Sequence, residues 1–196
     1  MSSSALHAHR LADIPLSPTI GTDDERFRMI FDAQIGYVVQ SLRRLGVREA
    51  DLEDVAQEVF VAVYKHFPQY DATRPCRPWL FSFACRVAAN HRKLARHRRE
   101  IHHAHFEHVE SDVPTPEERT GRRQDCDLVH KALLEIDFDR RVALIMHDLD
   151  GFAVPHIAQA LNVPVNTVYS RVRLARQSLR DVIQTLRLQE HSHEHT

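Results

Sequence analysis

Apolar residues recurring at steps of three and four, with almost nothing recurring at steps of two, restrict this chain to helices. From near Asp24, the residues Phe27, Ile30, Phe31, Ile35, Val38, Leu42 and Leu45 mark one helical face, and Gly46 offers a C-terminal stop. A second stripe (Leu52, Val55, Ala56, Val59, Phe60, Val63) follows Asp51, a residue suited to the N-cap. It should end before Pro68, leaving Phe67 to Pro75 as a loop. A third stripe (Trp79, Leu80, Phe83, Ala84, Val87, Ala88, Leu94) opens near Pro78 and runs to about Arg99. Trp79 aligns with Phe83 at i+4, which places it on the core side. Helices of this size can close a small core. The chain has only 5 glycines, and strand-like alternation of Val, Ile and Thr is nearly absent, so the expected fold class is all-α.

Between 101 and 121 the stripe disappears. Histidines at 102, 103, 105 and 108 give way to acids and to Pro114 and Pro116, as in a linker. Periodicity resumes from Gln124 with Leu128, Ala132, Leu133 and Ile136, then Val142, Leu144, Ile145 and Leu149, before Gly151 breaks it. The expected organisation is two small helical domains, 22–100 and 122–188, joined by a flexible linker at 101–121. Residues 1–21 form a mobile tail, and residues 189–196 a polar, His-rich one.

Charge is segregated along the chain, so the formal net charge of −1 conceals two kinds of surface. From Arg86 to Arg99 there are six Arg or Lys residues and no acid, and from Arg171 to Arg180 four arginines and no acid. Acids gather at Asp51, Glu53, Asp54 and Glu58, at 107–118 and at 125–150. Basic blocks suit phosphates, and acidic blocks suit a basic protein partner. Cys76, Cys85 and Cys126 lack close CxxC spacing, which points to reduced thiols rather than a disulfide framework or a zinc site. No apolar run approaches the ~20 residues that span a bilayer. The start of the chain also lacks the apolar core of a secretion signal. A cytoplasmic protein without stable membrane insertion is expected.

The sharpest local signal is Ala153 to Leu179. A short helix with Ile157, Ala158 and Leu161 meets Asn162, a residue that tolerates the left-handed turn, and Pro164 then opens a second helix. Small Ala158 at the crossing lets the two helices approach closely. Val168, Val172, Ala175 and Leu179 bury one face of the second helix. The other face presents Asn166, Thr167, Tyr169, Ser170, Arg171, Arg173 and Arg176. Such a helix fits the DNA major groove, where arginine pairs with guanine and hydroxyl groups reach bases or phosphates. A helical hairpin with a solvated basic face is the plainer reading of this segment alone.

Both halves together resemble the sigma-70 family, in its extracytoplasmic-function branch. In the first half, Asp51-Leu-Glu-Asp-Val-Ala-Gln-Glu-Val-Phe60 is similar to the family's acidic helix. Phe67-Pro-Gln-Tyr70 and Arg77-Pro-Trp-Leu80 then lead into a basic helix. In the second half, Leu149-Asp-Gly-Phe152, Ile157-Ala158 and the run from Val163 to Arg176 resemble the region-four signature. The resemblance covers about 24–100 and 115–188, in order and with the right gap. It implies that the domains are sigma region 2 and sigma region 4, and that the function is promoter recognition and transcription initiation on core RNA polymerase. Asp51, Asp54, Gln57 and Glu58 would dock on the polymerase. The basic helix, through Arg86, Asn90, Arg92, Lys93, Arg96, Arg98 and Arg99, would meet the −10 element and offset the cost of unstacking a base. The region-4 helix would read the −35 element through Asn166, Thr167, Tyr169, Ser170, Arg171, Arg173 and Arg176. An anti-sigma factor is a further implied partner.

The chain departs from the family pattern at several positions. Arg86 and Asn90 stand where relatives have Asn and Asp, Ala153 replaces a Ser or Thr cap, Pro155 and His156 replace acids, and Leu174 replaces a DNA-facing arginine. Fifteen histidines, with His191, His193 and His195 alternating at the end, invite a metal reading, but no rigid scaffold or cysteine partner accompanies them. No metal site and no cofactor are expected. The competing function is a stand-alone helix-turn-helix regulator, which leaves the first half without a role. An enzyme is not expected, because neither paired carboxylates beside a His or Lys in the basic segments nor a glycine-rich phosphate loop is present.

Overall fold

The structure is a computed structural model that describes residues 22–102 and 121–193, with side chains over 22–95 and 126–189. Among the described residues every regular element is helical. The N-terminal tail and most of the linker lie outside them.

Helix α1 (Asp23–Leu45) begins in a capping box. Thr22 accepts from the Glu25 N–H and the Glu25 carboxylate accepts from the Thr22 N–H, which satisfies two orphan donors. It ends at Gly46, whose φ of 91° is the left-handed conformation that a Cβ resists. Helix α2 (Leu52–His66) is preceded by a 3-10 turn at Glu49–Asp51, so Asp51 sits outside the α-helix and makes no side-chain cap. The expected loop after α2 contains a further 3-10 turn, Phe67–Gln69, with Phe67 buried. Helix α3 (Cys76–His102) starts two residues before Pro78, which lies in the first turn where no N–H is required. It continues past Arg99 into the first residues assigned to the linker.

The second half contains α4 (Gly121–Glu135) and α5 (Phe138–Leu144), the latter capped by the Asp137 carboxylate accepting from the Arg140 N–H at 3.3 Å. A π-helical turn, Ile145–Leu149, extends α5 to Gly151, whose φ is 71°. Helix α6 (Val154–Leu161) ends at Asn162 with φ 53° and ψ 50°, the left-handed turn the sequence implied. Helix α7 (Val165–His193) has 29 residues and includes 189–193, which were expected in the polar tail; 194–196 are outside the described residues. Helix α4 likewise starts earlier than Gln124 and takes in Gly121 from the linker.

Helices α1, α2 and α3 pack around Val38, Leu42, Val55, Val59, Val63, Leu80 and Phe81, all fully buried. Burying each such aliphatic side chain contributes about 1.5–3 kcal/mol. Trp79 packs edge-on against Phe83 at 5.1 Å and close to Tyr70 at 4.4 Å, on the core side as expected. The two expected helical halves are both present, and the apolar core of the first continues into the second. One continuous cluster runs from these residues into Val142, Ile145, Met146, Phe152, Val154, Ile157 and Val168 of the second. A smaller cluster, Leu133, Ile136, Leu144 and Ala175, lies under α4 and α7.

Candidate nucleic-acid interface

The geometry of α7 follows from its buried stripe. Val168, Val172 and Ala175 are buried against α5 and α6, so the residues between them must face outward. Asn166, Tyr169, Ser170 and Arg173 are exposed, Tyr169 to 59%, and Thr167 is half-buried. The Ser170 hydroxyl donates to the Thr167 carbonyl at 2.9 Å, leaving its lone pairs outward.

Arg171 and Arg176 are engaged within their own half. Arg171 pairs with Asp139 at the start of α5. Arg176 grips Asp148 with two bonds, Nε to Oδ2 at 2.8 Å and Nη2 to Oδ1 at 2.6 Å. The hydrogen bond from Arg176, joined by one from His147, holds the Asp148 carboxyl below its ordinary value. Neither aspartate was singled out from the sequence. The available signal was the acid block at 125–150, whose members can serve as internal counter-ions to a basic helix as well as a surface for a partner.

On α3 the expected basic set divides. Arg86, Asn90 and Lys93 are exposed at i, i+4 and i+7, a single stripe along the helix. Arg86 is steadied by Ser82, donating to its carbonyl and hydroxyl oxygens at 3.1 Å each, and lies over the Phe83 ring at 4.6 Å. Arg92 turns away from that stripe and stacks over Phe138 of α5 at 4.8 Å. Arg96, Arg98 and Arg99 continue α3, and their side chains lie outside the described residues. Between α3 and the α4–α5 corner is a cleft of about 410 Å³ lined by Arg92, Lys93, Glu135, Asp137 and Arg141, among others.

The acidic face of α2 is an open surface. Asp54, Gln57 and Glu58 are exposed together, and Val61 and Tyr64 continue the same face with about half their surface in solvent. An apolar residue at 61, one turn beyond two acids, was the signal for this extension. Asp51 does not join them. Its carboxylate accepts from Arg48 at 2.8 Å and lies 3.4 Å from His91 of α3, drawn there because the 3-10 turn rotates it off the helix face.

Among the described residues no group of three or more His, Cys, Asp or Glu side chains is arranged to hold a metal ion. No helix there is long and apolar enough to cross a membrane. His191 and His193 fall on the last turn of α7, with side chains outside the described residues.

Comparison with known proteins assigns both halves. Residues 30–100 match the family model of sigma-70 region 2, and residues 126–179 that of sigma-70 region 4. The chain is 30% identical over 155 residues to RNA polymerase sigma factor NccH of Alcaligenes xylosoxydans xylosoxydans, covering 76% of this chain and 81% of that one. It is 25% identical over 188 residues to the ECF RNA polymerase sigma-E factor of Escherichia coli K12, covering 91% and 98%. Among solved structures, CnrH in complex with the cytosolic domain of CnrY is similar in fold, with TM-score 0.59 and 23% identity over 90% of this chain and 97% of that one. The sigma factor RpoE with the anti-sigma factor NepR from Bartonella quintana gives TM-score 0.66 at 18% identity, over 82% and 98%.

Proposed function

The chain belongs to the sigma-70 family as an extracytoplasmic-function sigma factor, a subunit that binds core RNA polymerase and directs it to promoters, and from that premise we propose which of its surfaces does what. Asp54, Gln57 and Glu58 on α2 dock on the core enzyme, with Val61 and Tyr64 as apolar neighbours. Asp51 supports the start of α2 through Arg48 and His91. Arg86, Asn90 and Lys93 on α3 meet the −10 element, and the basic continuation through Arg96, Arg98 and Arg99 follows its phosphates. Asn166, Thr167, Tyr169, Ser170 and Arg173 on α7 read the −35 duplex, while Arg171 and Arg176 approach it from their aspartate partners.

The observation that supports this division is an acidic open face on α2 of the first half, in contrast to an acid-free outward face over residues 165–180 of α7 behind the Asn162 turn. A stand-alone regulator would use only the second half. The region-2 match over 30–100 accounts for the other. Because a similar fold was solved with an anti-sigma factor, we extend to this chain control by an inhibitor of that kind, and place its action in the cytoplasm with the polymerase.

Transcription in vitro on fragments of the source genome, with core polymerase and with or without this protein, tests the reading. Discrete start sites that appear only with the protein are expected, and their upstream sequences define its promoter. DNA binding without core-dependent initiation would overturn it.

A further inference from the structure

Among the arginines placed at the DNA contacts, Arg86 combines an exposed side chain with anchorage by its own helix. Its Nε donates to the Ser82 carbonyl and its Nη2 to the Ser82 hydroxyl, both at 3.1 Å, and the guanidinium lies over the Phe83 ring at 4.6 Å. Both supports are themselves fixed. Ser82 is buried, and its hydroxyl donates in turn to the Trp79 carbonyl at 2.7 Å. Phe83 is buried with Trp79 edge-on at 5.1 Å and the His66 ring tilted against it at 5.4 Å.

This anchorage leaves a defined part of the side chain for a partner. A guanidinium carries five N–H donors in a rigid fork. Ser82 takes the Nε–H and the Nη2 hydrogen beside it. The parallel pair at the far end, one N–H on Nη1 and one on Nη2, points away from Ser82. The aspartates that hold Arg171 and Arg176 have no counterpart at Arg86 among the described residues.

A parallel pair of donors matches two acceptors side by side. Guanine presents O6 and N7 in that way on its major-groove edge. Adenine puts the N6 donor beside N7, cytosine offers the N4 donor, and thymine has one acceptor next to a methyl group. Guanine is therefore the base that can accept from both ends of the fork. Phosphate oxygens also pair with arginine, so the fork by itself does not choose between base and backbone. The neighbouring residues do. Asn90, one turn beyond Arg86 on the same exposed stripe, carries no charge to attract a phosphate, and its amide is the donor and acceptor pair that suits adenine. Arg86 thus stands beside a base-reading group, with the exposed Lys93 a further turn along as the mobile point charge that suits a phosphate. Anchorage has an energetic consequence as well. A side chain ordered before DNA arrives loses less freedom on binding, and a fork fixed in direction penalises any base that cannot accept from it.

We infer, on the −10 assignment of α3 made above, that Arg86 held by Ser82 and Phe83 selects a guanine in the −10 element. The fork pairs with O6 and N7 of that guanine, and Ser82 and Phe83 act as positioning residues for it.

The test uses the full chain assembled with core polymerase on a promoter whose start site has been mapped. Each −10 position is varied through the four bases, for the wild type and for Arg86→Ala. The wild type should favour guanine at one position by about ten- to a hundredfold, and Arg86→Ala should bring the four bases there to within about threefold. Preferences at the remaining positions should stay as they were. Replacing that guanine by 7-deazaguanine, which keeps its base pair but lacks N7, should weaken the wild type by about five- to tenfold and leave Arg86→Ala unaffected. Helical circular dichroism should be the same for both proteins, since residue 86 is exposed and alanine favours the helix. Equal base preferences in the two proteins, or no guanine preference in the wild type, would overturn the inference. A loss in Arg86→Ala that is uniform across all sequences would do so too, by marking a phosphate contact. In each of these cases initiation at the mapped site continues and the promoter reading stands. A wild-type protein that yields no core-dependent start site on any template would overturn the promoter reading itself, and the guanine assignment with it.

Discussion

Helices α2 and α7 each turn an apolar stripe inward and a charged face outward, yet they treat that outward charge differently. On α2 the carboxylates of Asp54 and Glu58 stand in solvent, and no ion pair engages them among the described residues. On α7 two of the three arginines of the proposed reading face are held by aspartates of their own half, Arg171 by Asp139 and Arg176 by Asp148. Bare acids keep their full attraction for an external basic partner. Arginines already paired offer DNA a smaller net field, which restrains indiscriminate binding to phosphates and leaves more of the discrimination to base contacts. Exposed pairs of this kind contribute only about 0–1 kcal/mol to folding, so their main effect is to orient and to moderate.

The largest effect should come from the bare face. Asp54→Lys with Glu58→Lys should weaken binding to core polymerase by about a hundredfold or more, since like charges then meet across the contact. Because no internal partner is lost, the thermal midpoint should stay close to wild type. Competition binding and a melting curve measure the two, and unchanged core affinity would remove α2 from the docking surface.

Next comes Arg173→Ala, which removes the one arginine of the proposed reading face that has no carboxylate partner among the described residues. A loss of about 1–3 kcal/mol in holoenzyme affinity for the −35 duplex is expected if it reads a base. If it only meets a phosphate, the loss should instead be uniform across sequences, with the salt slope reduced by about one. Binding to matched and scrambled duplexes over a salt series distinguishes these. No change at all would take Arg173 out of the interface.

Asp148→Asn should act in the opposite direction. Freed from its carboxylate, Arg176 should strengthen binding to unrelated duplex by roughly two- to fivefold and steepen the salt dependence. Weaker binding would mean that Asp148 positions Arg176 for a specific contact, and the contrast between the two helices would then be one of orientation rather than of field strength.

The smallest effect is on acid stability. The Asp148 pKa is lowered in the folded state by the Arg176 hydrogen bond, so its contribution is complete above the unfolded value near 3.8 and is lost as the pH falls through the lowered one. Asp148→Asn should therefore lower stability by a small, constant amount near neutrality, and the difference from wild type should vanish as the pH falls below about 4. Denaturant titrations at several pH values check this.

Much of this was legible in the residues. The stripes of α1, α2 and α3, the stop at Gly46 and the left-handed Asn162 follow from side-chain size and backbone sterics, which act within a turn or two of the chain. The outward faces of α2 and α7 were legible for the same reason: once the buried residues of a helix are known, its period assigns the others. Asp51 holds the N-cap position that the sequence implies, but the 3-10 turn before it changes the period there and carries its carboxylate to Arg48 and His91. The π-helical turn at Ile145–Leu149 was missed on similar grounds, since a single widened turn leaves too few residues to show a repeat.

The sequence by itself therefore determined the helices, their inner and outer faces, and the segregation of acid from base, because each depends on neighbours within a few residues. Tertiary structure alone decided which outward charges stay free and which are paired, and that Asp150 meets Tyr37 and Arg44 across more than a hundred residues. Such pairings depend on how whole helices are brought together, and a contact between distant residues leaves no periodic trace in either segment.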